Sequence, residues 1–449
     1  MTIIQDFVKF ARATEYDDIP PEVREIAVKA FIDTIAVMYR GGEAEKPEKL
    51  ARYIQHLPSL DQSTVIRKEM KTSMANAALI NGMLAHVDDY DDSGLPGHVS
   101  AVLVPAALSV AEYCGSTGQE MLKAYCIGVE LQYKLAEVMS PMINQGGWHA
   151  TCIYGALGAT AIAGVLLGLN EEDFVNALGL VSSKASGIVV NFGTSTKSYQ
   201  NGLAAANGIE AALLARAGID ASPSAFEGVG GLAQCFSSAT FPQEGIQFGV
   251  DWGVKTHGLC LKKYPCCLGS HGAIEALTGM MQEHGFTGND VESVTGEVMG
   301  YAYRCLSYED PTNELEAKFS LPYALGSVLV DRKVTLRSFH QNRINDPVVR
   351  NEMVKVRKIE SNEFEYLDLS SPAHVTVVLK DKTVLTRFGQ IDCTGGMSLG
   401  SGMSFKELEE KFLDCTEGML STQKASEIFQ KIRVIEQAPS IDGIMRALR

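Results

Sequence analysis

The chain has 449 residues, with 39 Lys and Arg against 54 Asp and Glu, so its formal net charge is −15. Because 46% of the residues are hydrophobic and 21% are charged, the composition excludes a disordered or collagen-like chain. The acidic balance also disfavours nucleic acid and anionic membrane surfaces as partners, since both repel an acidic protein. The sequence therefore predicts a globular protein of roughly two or three domains.

The cysteines and the N-terminal segment indicate the compartment. Ten cysteines are scattered along the chain without the spacing of a metal site or a disulfide framework. We interpret them as reduced thiols of a cytoplasmic protein. The N-terminal segment has no basic leader followed by an apolar run, so we expect no secretory signal.

Periodic apolar positions predict helices throughout residues 1–260. The clearest segments, rich in Ala and Leu, are 21–40, 74–86, 101–113, 119–139, 150–169 and 203–216. The segment 150–169 is uncharged and nearly long enough to span a membrane. Its many small residues favour close packing inside a protein, so we expect a buried helix and no membrane association.

The pattern changes near residue 262. Alternating apolar residues predict strands at 291–298, 374–379 and 383–388. A Gly/Ser-rich joint follows at Gly395–Gly402, and a helix restarts at Phe405.

These segments together predict a mainly α protein. We expect a large all-helical domain over residues 1–264, completed by 403–449, and a smaller α+β domain over residues 265–402.

Two histidines and four aspartates crowd into residues 86–98, HVDDYDDSGLPGH. Three interpretations remain open on residue chemistry alone. An aspartate that orients a histidine would suit acid–base catalysis. The pattern D-x-D-x-S-G imitates a calcium loop, although Ser100 stands where a bidentate Glu is required. The third interpretation is a solvated acidic loop that caps neighbouring helices.

Two further positions could carry chemistry. His149 follows two glycines at the start of the apolar helix, where a helix N-terminus favours anions and a neutral imidazole. The alternative is a hydrogen-bonded core histidine. Lys197 follows a Gly/Thr/Ser stretch just before the next predicted helix, where a cation among hydroxyl groups would suit a small polyanion.

The usual cofactor motifs are missing from the sequence. It contains no complete phosphate-binding loop, dinucleotide fingerprint, nucleophile elbow or zinc-protease motif. We therefore expect neither a cofactor nor a metal.

The three candidate segments occur in order with two more, LKKYPCCLGSH at 261–271 and AKFSLPY at 317–323. In this order they resemble the MmgE/PrpD family, which includes 2-methylcitrate dehydratase, cis-aconitate decarboxylase and iminodisuccinate epimerase. The resemblance covers nearly the whole chain. It implies a homodimer in which each subunit has a large helical domain and a smaller α+β lid domain.

The resemblance also implies roles for individual residues. The catalytic positions it implies are Asp89, His98, His149 and Lys197. The substrate-binding positions it implies are Ser93, Lys262, His271 and Tyr323. Either histidine could take the proton, with Asp89 orienting an imidazolium and the two lysines supplying positive charge.

The segment after Lys197 departs from the family pattern. Gln200 and Leu203 stand where the family usually has an imidazole and a guanidinium. A fork that could bind a substrate carboxylate is therefore lost. We expect a substrate that is less anionic than a tricarboxylate, or one that is anchored differently.

The function implied by the resemblance is acid–base chemistry, without a cofactor, at the carbon beside a carboxylate of a small carboxylic acid. A 2-methylcitrate dehydratase-like hydro-lyase is the leading expectation. An epimerase or a decarboxylase of a related di- or tricarboxylate is the alternative, because all three reactions need the same electron sink. A non-catalytic ligand-binding or interaction protein on the same fold is the alternative from another class.

Overall fold

The computed structural model describes residues 2–140, 142–242, 245–365, 368–392 and 402–449. The chain divides into two compact units. The helical unit comprises Met1–Val87, Asp91–Leu261 and Thr394–Arg449, and the smaller unit comprises Asp88–Tyr90 and Lys262–Cys393. The predicted fold class, mainly α with a smaller α+β part, is confirmed.

The predicted domain boundaries, between 264 and 265 and between 402 and 403, stay predictions. The predicted joint at Gly395–Gly402 lies, apart from its last residue, outside the described residues.

Helices dominate the helical unit. Up to residue 261 they are α1 (Ile3–Ala13), α2 (Pro21–Gly41), α3 (Glu45–Gln55), α4 (Met74–His86), α5 (Ser100–Cys114), α6 (Gly118–Met139), α7 (Met142–Gln145), α8 (Ala150–Leu166), α9 (Glu171–Ser182), α10 (Ser195–Arg216), α11 (Leu232–Phe236) and α12 (Gly253–His257). Two short antiparallel ladders join loops, β1 (Ser63–Thr64) with β2 (Lys71–Thr72) and β3 (Ser93–Gly94) with β4 (Leu259–Cys260). The expectation of helices alone is therefore wrong at these ladders.

The N-terminal caps explain where the helices begin. Pro21 occupies the first turn of α2, where its missing N–H needs no partner. The predicted start of α10 at residue 203 is wrong, because the Thr194 hydroxyl caps the helix by accepting from the Thr196 amide at 3.2 Å. Lys197 therefore lies in the first turn of α10 and not in the preceding loop.

Helix α8 forms the centre of the helical unit. Its residues Ala150–Gly164 are all buried, and it packs against α5, α6 and α10. The predicted buried helix is therefore confirmed. Among the residues that the structure describes, no helix has both the length and the apolar character that a membrane span requires.

Helices α4 and α10 touch backbone to backbone at two glycines. A Cβ atom on Gly82 would lie 2.7 Å from the Gly202 Cα, and one on Gly202 would lie 2.0 Å from the Leu79 carbonyl oxygen. Only glycine fits at such an approach. The contact brings His86, the last residue of α4, beside the first turn of α10, which carries Lys197.

The smaller unit contains a four-stranded mixed sheet. Its elements are α13 (His271–His284), β5 (Val291–Val298), α14 (Gly300–Cys305), α15 (Glu314–Ala317), α16 (Leu321–Asp331), α17 (Gln341–Ile344), α18 (Pro347–Met353), β6 (Val356–Glu360), β7 (Ala373–Leu379) and β8 (Val384–Gly389). The strand order is β6-β5-β7-β8, with β5 parallel to β6 and the other pairs antiparallel. The three predicted strands are confirmed as β5, β7 and β8, whereas β6 was not predicted.

The C-terminal segment returns to the helical unit as α19 (Phe405–Thr416), α20 (Thr422–Arg433) and α21 (Asp442–Ala447). The predicted helix start at Phe405 is confirmed, and Ser404 with Glu407 forms a capping box there. Helix α19 packs against α2, and Lys411 Nζ lies 2.6 Å from Asp33 Oδ1 in a buried ion pair.

Candidate active site

Several ionisable side chains of the helical unit meet where α4 ends and α10 begins. Lys197 Nζ lies 2.7 Å from His86 Nε2. The His86 ring centroid is 4.3 Å from that of His98 and 6.5 Å from that of His149. The structure therefore brings His98, His149 and Lys197 together around His86, a residue that the sequence reasoning did not single out.

His86 links a carboxylate to the lysine ammonium. Its Nδ1 donates to Asp91 Oδ1 at 2.8 Å, and its Nε2 accepts from Lys197 Nζ. All three side chains are buried. Burial lowers the pKa of His86 to about 3, although Asp91 opposes this shift, so the imidazole is neutral near pH 7. Because it is neutral, its lone pair can hold the ammonium in place.

Asp91 is the carboxylate that orients the histidines. Its Oδ2 lies 3.0 Å from His98 Nδ1, which is also 3.0 Å from the Asp92 carbonyl oxygen. Burial raises the pKa of Asp91, but His86 and His98 outweigh it and hold that pKa well below its ordinary value. The resemblance implies an orienting role for Asp89, whose carboxylate binds Lys262 Nζ at 2.8 Å within the smaller unit. Asp91 is thus a carboxylate that contacts both imidazoles, and the catalytic position implied for Asp89 stays a prediction.

Exchanging Asp91 for asparagine tests whether this carboxylate orients the histidines. We expect Asp91→Asn to lower kcat by about 100-fold or more, the scale seen when an aspartate that fixes a histidine tautomer becomes an amide. An amide NH2 facing His86 Nδ1 would place the ring proton on Nε2, against the ammonium. Asp89→Asn is the matched control, and its kcat and thermal unfolding should be measured alongside. Equal losses in the two variants would contradict the assignment.

His149 has one buried ring nitrogen that makes no hydrogen bond to any described residue. It lies at the N-terminus of α8 and is 3% exposed. Its Nδ1 is 2.8 Å from Gln200 Oε1, whereas its Nε2 has no hydrogen-bond partner among the described residues. Burial, followed by the Lys197 ammonium, holds the pKa of His149 well below its usual range. A neutral imidazole with an unpaired lone pair is what a general base requires.

Phe192 packs against both His149 and Lys197. Its ring lies edge-on to the His149 ring at 4.9 Å, and Lys197 Nζ lies 5.1 Å from its centroid. An aromatic face beside an ammonium is mildly stabilising and excludes water from one side. The Lys197 ammonium therefore has a polar contact with His86 and an aromatic contact with Phe192.

A metal centre is the competing interpretation of this cluster. The ligand atoms of His86, Asp91 and His98 all lie within 4.8 Å of one another. However, the contacts of Asp91 to the two rings have ordinary hydrogen-bond lengths. The adjacent Lys197 ammonium would also repel a divalent cation. The geometry therefore favours an acid–base site.

The structure also argues against the calcium interpretation of the acidic loop. Asp88 Oδ1 lies 2.7 Å from Lys318 Nζ, and Asp89 Oδ2 lies 2.8 Å from Lys262 Nζ. The two carboxylates of the calcium pattern are Asp89 and Asp91, and both already bind protein side chains, Asp89 that of Lys262 and Asp91 those of His86 and His98. The solvated-loop interpretation also fails at its centre, because Asp91 and Asp92 are fully buried.

Lys262 forms a buried ion pair with Asp89, and Ser93 lies in a short strand. The Lys262 ammonium is 1% exposed and donates to both the carboxylate and the backbone carbonyl of Asp89, each at 2.8 Å. Its charge is thus balanced by a protein carboxylate. Asp89 adopts a left-handed φ of 52°, which lets both oxygens face the ammonium. Ser93 lies in β3 opposite Cys260.

His271 and Tyr323 contact backbone carbonyls within the smaller unit. His271 begins α13, and its Nε2 lies 3.3 Å from the Cys266 carbonyl oxygen. Tyr323, buried in α16, donates its hydroxyl proton to the Ser338 carbonyl oxygen. Burial raises the pKa of this phenol to about 12. The substrate-binding roles implied by the resemblance stay predictions for both residues.

Asp92 is a buried carboxyl group beside the cluster. Its Oδ1 accepts from the Ser100 amide at 3.0 Å, and its Oδ2 has no partner among the described residues. Burial raises the pKa of Asp92 to about 7 against the hydrogen bonds from Ser100, and the Asp91 carboxylate adds to the increase. Asp92 is therefore largely protonated at mildly acidic pH.

This raised pKa predicts how Asp92→Asn changes stability. Stability contributed by the protonated carboxyl is fully present below its unfolded pKa and is lost as the pH rises through about 7. Asparagine stays uncharged and keeps the acceptor for Ser100. We therefore expect the stabilisation by Asp92→Asn to grow by up to about 3 kcal/mol between pH 5 and pH 8. Urea unfolding at both pH values measures it, with the exposed Asp61→Asn as control. A stabilisation that does not change with pH would refute the expectation.

Comparison with known proteins places the chain in one family. The family models of the MmgE/PrpD N-terminal domain and the MmgE/PrpD C-terminal domain match residues 5–244 and 264–437. Human cis-aconitate decarboxylase is 25% identical over 97% of this chain and 92% of its own length. Mouse cis-aconitate decarboxylase is 24% identical, with 94% and 88% covered, and that of Aspergillus terreus is 25% identical, with 78% and 76% covered. Since the two family matches together span most of its length, the chain belongs to the MmgE/PrpD family.

Proposed function

We propose that this protein is a lyase that decarboxylates a small carboxylic acid by acid–base chemistry beside a second carboxylate. The observation that carries the proposal is a buried ammonium, that of Lys197, which His86 holds close to the His149 ring, whose Nε2 has no hydrogen-bond partner among the described residues. The similarity to cis-aconitate decarboxylases over nearly the whole chain supports this class of reaction.

Lys197 supplies the electrostatic part of the mechanism. His86 fixes the position of the ammonium before substrate binds. A substrate carboxylate bound to it can accept the electron pair that a breaking bond releases, forming an enolate-like dianion. Preorganised positive charge in a buried site stabilises such a dianion more than it stabilises the substrate.

His149 supplies the proton. In the decarboxylation, the bond between carbon and the leaving carboxylate breaks, and its electron pair moves toward the carboxylate held by Lys197. Carbon dioxide leaves, and it is replaced on carbon by a proton that His149 Nε2 takes up from solvent when the substrate binds. The bound anion raises the pKa of the imidazole, so substrate binding favours its protonation. In the overall reaction, one carboxylate group and one proton are converted to carbon dioxide and a C–H bond.

Dehydration of a 2-hydroxy acid is the second candidate. Here His149 Nε2 would take the proton beside the carboxylate, and an acid would protonate the departing hydroxyl group. The observation that favours it is that the His149 imidazole has a lowered pKa and that its Nε2 has no hydrogen-bond partner in the described parts of the chain, as a base requires. Both reactions use the same two residues and differ in the group that leaves.

The charges of the residues around Lys197 indicate how anionic a substrate the site would bind. Within the described part of the helical unit, the Lys197 ammonium contacts His86, which in turn contacts the Asp91 carboxylate, and Gln200 adds no charge. Leu203, one turn farther along α10, adds none either. We therefore propose a substrate that is less anionic than a tricarboxylate, or a tricarboxylate that is anchored by residues at other positions.

Proton NMR in deuterated water distinguishes the candidates. The purified protein would be incubated with cis-aconitate, 2-methylcitrate, malate and iminodisuccinate. Release of carbon dioxide with one deuterium on the product carbon supports the proposal. Loss of water establishes dehydration, and deuterium wash-in with inversion establishes epimerisation. Ligand-induced thermal stabilisation with no turnover of any compound would overturn the proposal in favour of a binding protein.

A further inference from the structure

Gln200 contacts the candidate proton carrier from α10. It lies one turn after Lys197, on the same face of the helix. Its Oε1 is 2.8 Å from His149 Nδ1, and its Nε2 donates to the Ile188 carbonyl oxygen at 3.3 Å. The amide therefore bridges the imidazole and a backbone carbonyl.

The backbone fixes this carbonyl relative to His149. The His149 amide donates to the Gly187 carbonyl oxygen at 2.9 Å, and the Val189 amide donates to the Gly147 carbonyl oxygen at 3.0 Å. Ile188 lies between these two bonds, opposite Trp148. The acceptor of the Gln200 NH2 group is thus part of the same short ladder that carries the histidine.

Only one orientation of the amide satisfies both contacts. With the amide reversed, Oε1 would face the Ile188 carbonyl oxygen, and two acceptors would oppose each other. With Oε1 facing His149, the opposing Nδ1 must carry a proton, because an unprotonated Nδ1 would place two lone pairs 2.8 Å apart. The contacts therefore specify the tautomer of the ring.

Cys152 agrees with this assignment. Its thiol donates to Asn201 Oδ1 at 3.7 Å, so its sulfur presents lone pairs to His149 Nδ1 at 3.2 Å. Sulfur is a weak acceptor and can share the Nδ1 proton with Gln200. Both neighbours of Nδ1 act as acceptors, which leaves Nε2 without the proton.

We propose that Gln200 is a positioning residue that fixes His149 as the Nδ1-protonated tautomer and so reserves Nε2 for proton exchange with the substrate. This inference rests on the proposed acid–base function. It concerns a position at which this chain departs from the usual family pattern, since an uncharged amide stands there.

The choice of an amide also sets the basicity of His149. The ionisable groups that act on this ring are Lys197 on α10, His86 on α4 and His98 in the loop before α5, and all three lower its pKa. A neutral acceptor at position 200 opposes them only weakly. A carboxylate there would form a charged pair with the imidazolium and raise the pKa by about 1 to 3 units.

The tautomer can be tested without turnover. Two-bond proton–nitrogen correlation spectra of protein labelled with 15N-histidine show which ring nitrogen carries the proton. The chain has nine histidines, and the signals absent from His149→Asn identify His149. We expect Nδ1-protonated His149 in the wild type and a mixture of tautomers in Gln200→Leu. An Nε2-protonated wild type, or an unchanged tautomer in Gln200→Leu, would overturn the inference even if the enzyme is active.

Enzyme kinetics provide a second test of the role proposed for Gln200. Gln200→Leu should lower kcat by about 10- to 100-fold, the range for partners that orient a histidine. KM should change little. Gln200→Glu should keep much of the activity and move the limb of the pH profile that reports His149 to higher pH by about 1 to 3 units. Gln132, another buried glutamine on α6, gives the controls Gln132→Leu and Gln132→Glu.

The outcomes separate structural damage from positioning. If Gln132→Leu and Gln200→Leu lose stability and activity alike, with unchanged pH profiles, Gln200 is only a packing residue and the inference fails. If Gln200→Leu does not fold, the pH profile and spectrum of Gln200→Glu decide. If no tested acid is turned over, the proposed function fails, but the tautomer spectra still decide what Gln200 does.

Discussion

Replacing Lys197 with methionine should lower kcat by about 100- to 1000-fold, the range for a lost electrostatic donor in a buried site. Methionine keeps much of the length and volume of the side chain but has no charge. It also leaves His86 Nε2 without its donor. Steady-state rates on the acid identified by NMR provide the measurement. Because the ammonium lowers the pKa of His149, its removal should also raise that pKa and move the pH profile.

Lys184→Met is the matched control for this variant. Lys184 also belongs to the helical unit, but its ammonium pairs with Glu210 near the surface. We expect wild-type rates from it, since surface ion pairs contribute little. If Lys197→Met retained a wild-type rate on an acid that the wild-type protein turns over, the ammonium would have no part in stabilising the dianion, and the mechanism would be wrong.

His149→Asn should lower kcat by about 100- to 10,000-fold, the range for a lost acid–base group. Asparagine can still donate an N–H to Gln200 Oε1 but has nothing in place of Nε2. The variant therefore removes the proton carrier while preserving its neighbour. Deuterium incorporation into the product should fall with the rate, and KM should stay near the wild-type value.

Two other histidine variants complete this test, one as a control and one as the competing proton carrier. His56→Asn, at an exposed position after α3, should behave as the wild type. His98→Asn removes a ring that faces Asp91. If His98→Asn abolished deuterium incorporation and His149→Asn did not, His98 would be the proton carrier. The role assigned here to His149 would then be wrong.

The sequence predicts those site residues whose neighbours in the chain form an unusual local pattern. His149 follows two glycines at a helix start, and Lys197 follows a Gly/Thr/Ser stretch, so their surroundings in the chain are unusual. Family resemblance rests on such local motifs and their order. The buried helix at residues 150–166 and the hairpin of β7 and β8 follow equally from local patterns, namely a continuous apolar run and an alternation of period two.

The residues that were missed depend on contacts between distant segments. His86 ends an apolar helix and is typical of a core histidine by sequence; its role arises from Lys197, 111 residues later. Asp91 and Asp89 are indistinguishable in a loop with four aspartates until one of them meets an imidazole and the other a lysine. Strand β6 carries charged residues and becomes a strand through its parallel pairing with β5.

The backbone contact between Gly82 and Gly202 has a consequence for variation in this protein. A methyl group at position 202 would press on the Leu79 carbonyl oxygen and displace the end of α4. The imidazole of His86 would then move away from the ammonium that it holds. In a random library, alanine at either glycine should abolish turnover in proteins that still express and stay in solution. Mutational scans would thus mark two glycines that act through the packing of α4 against α10.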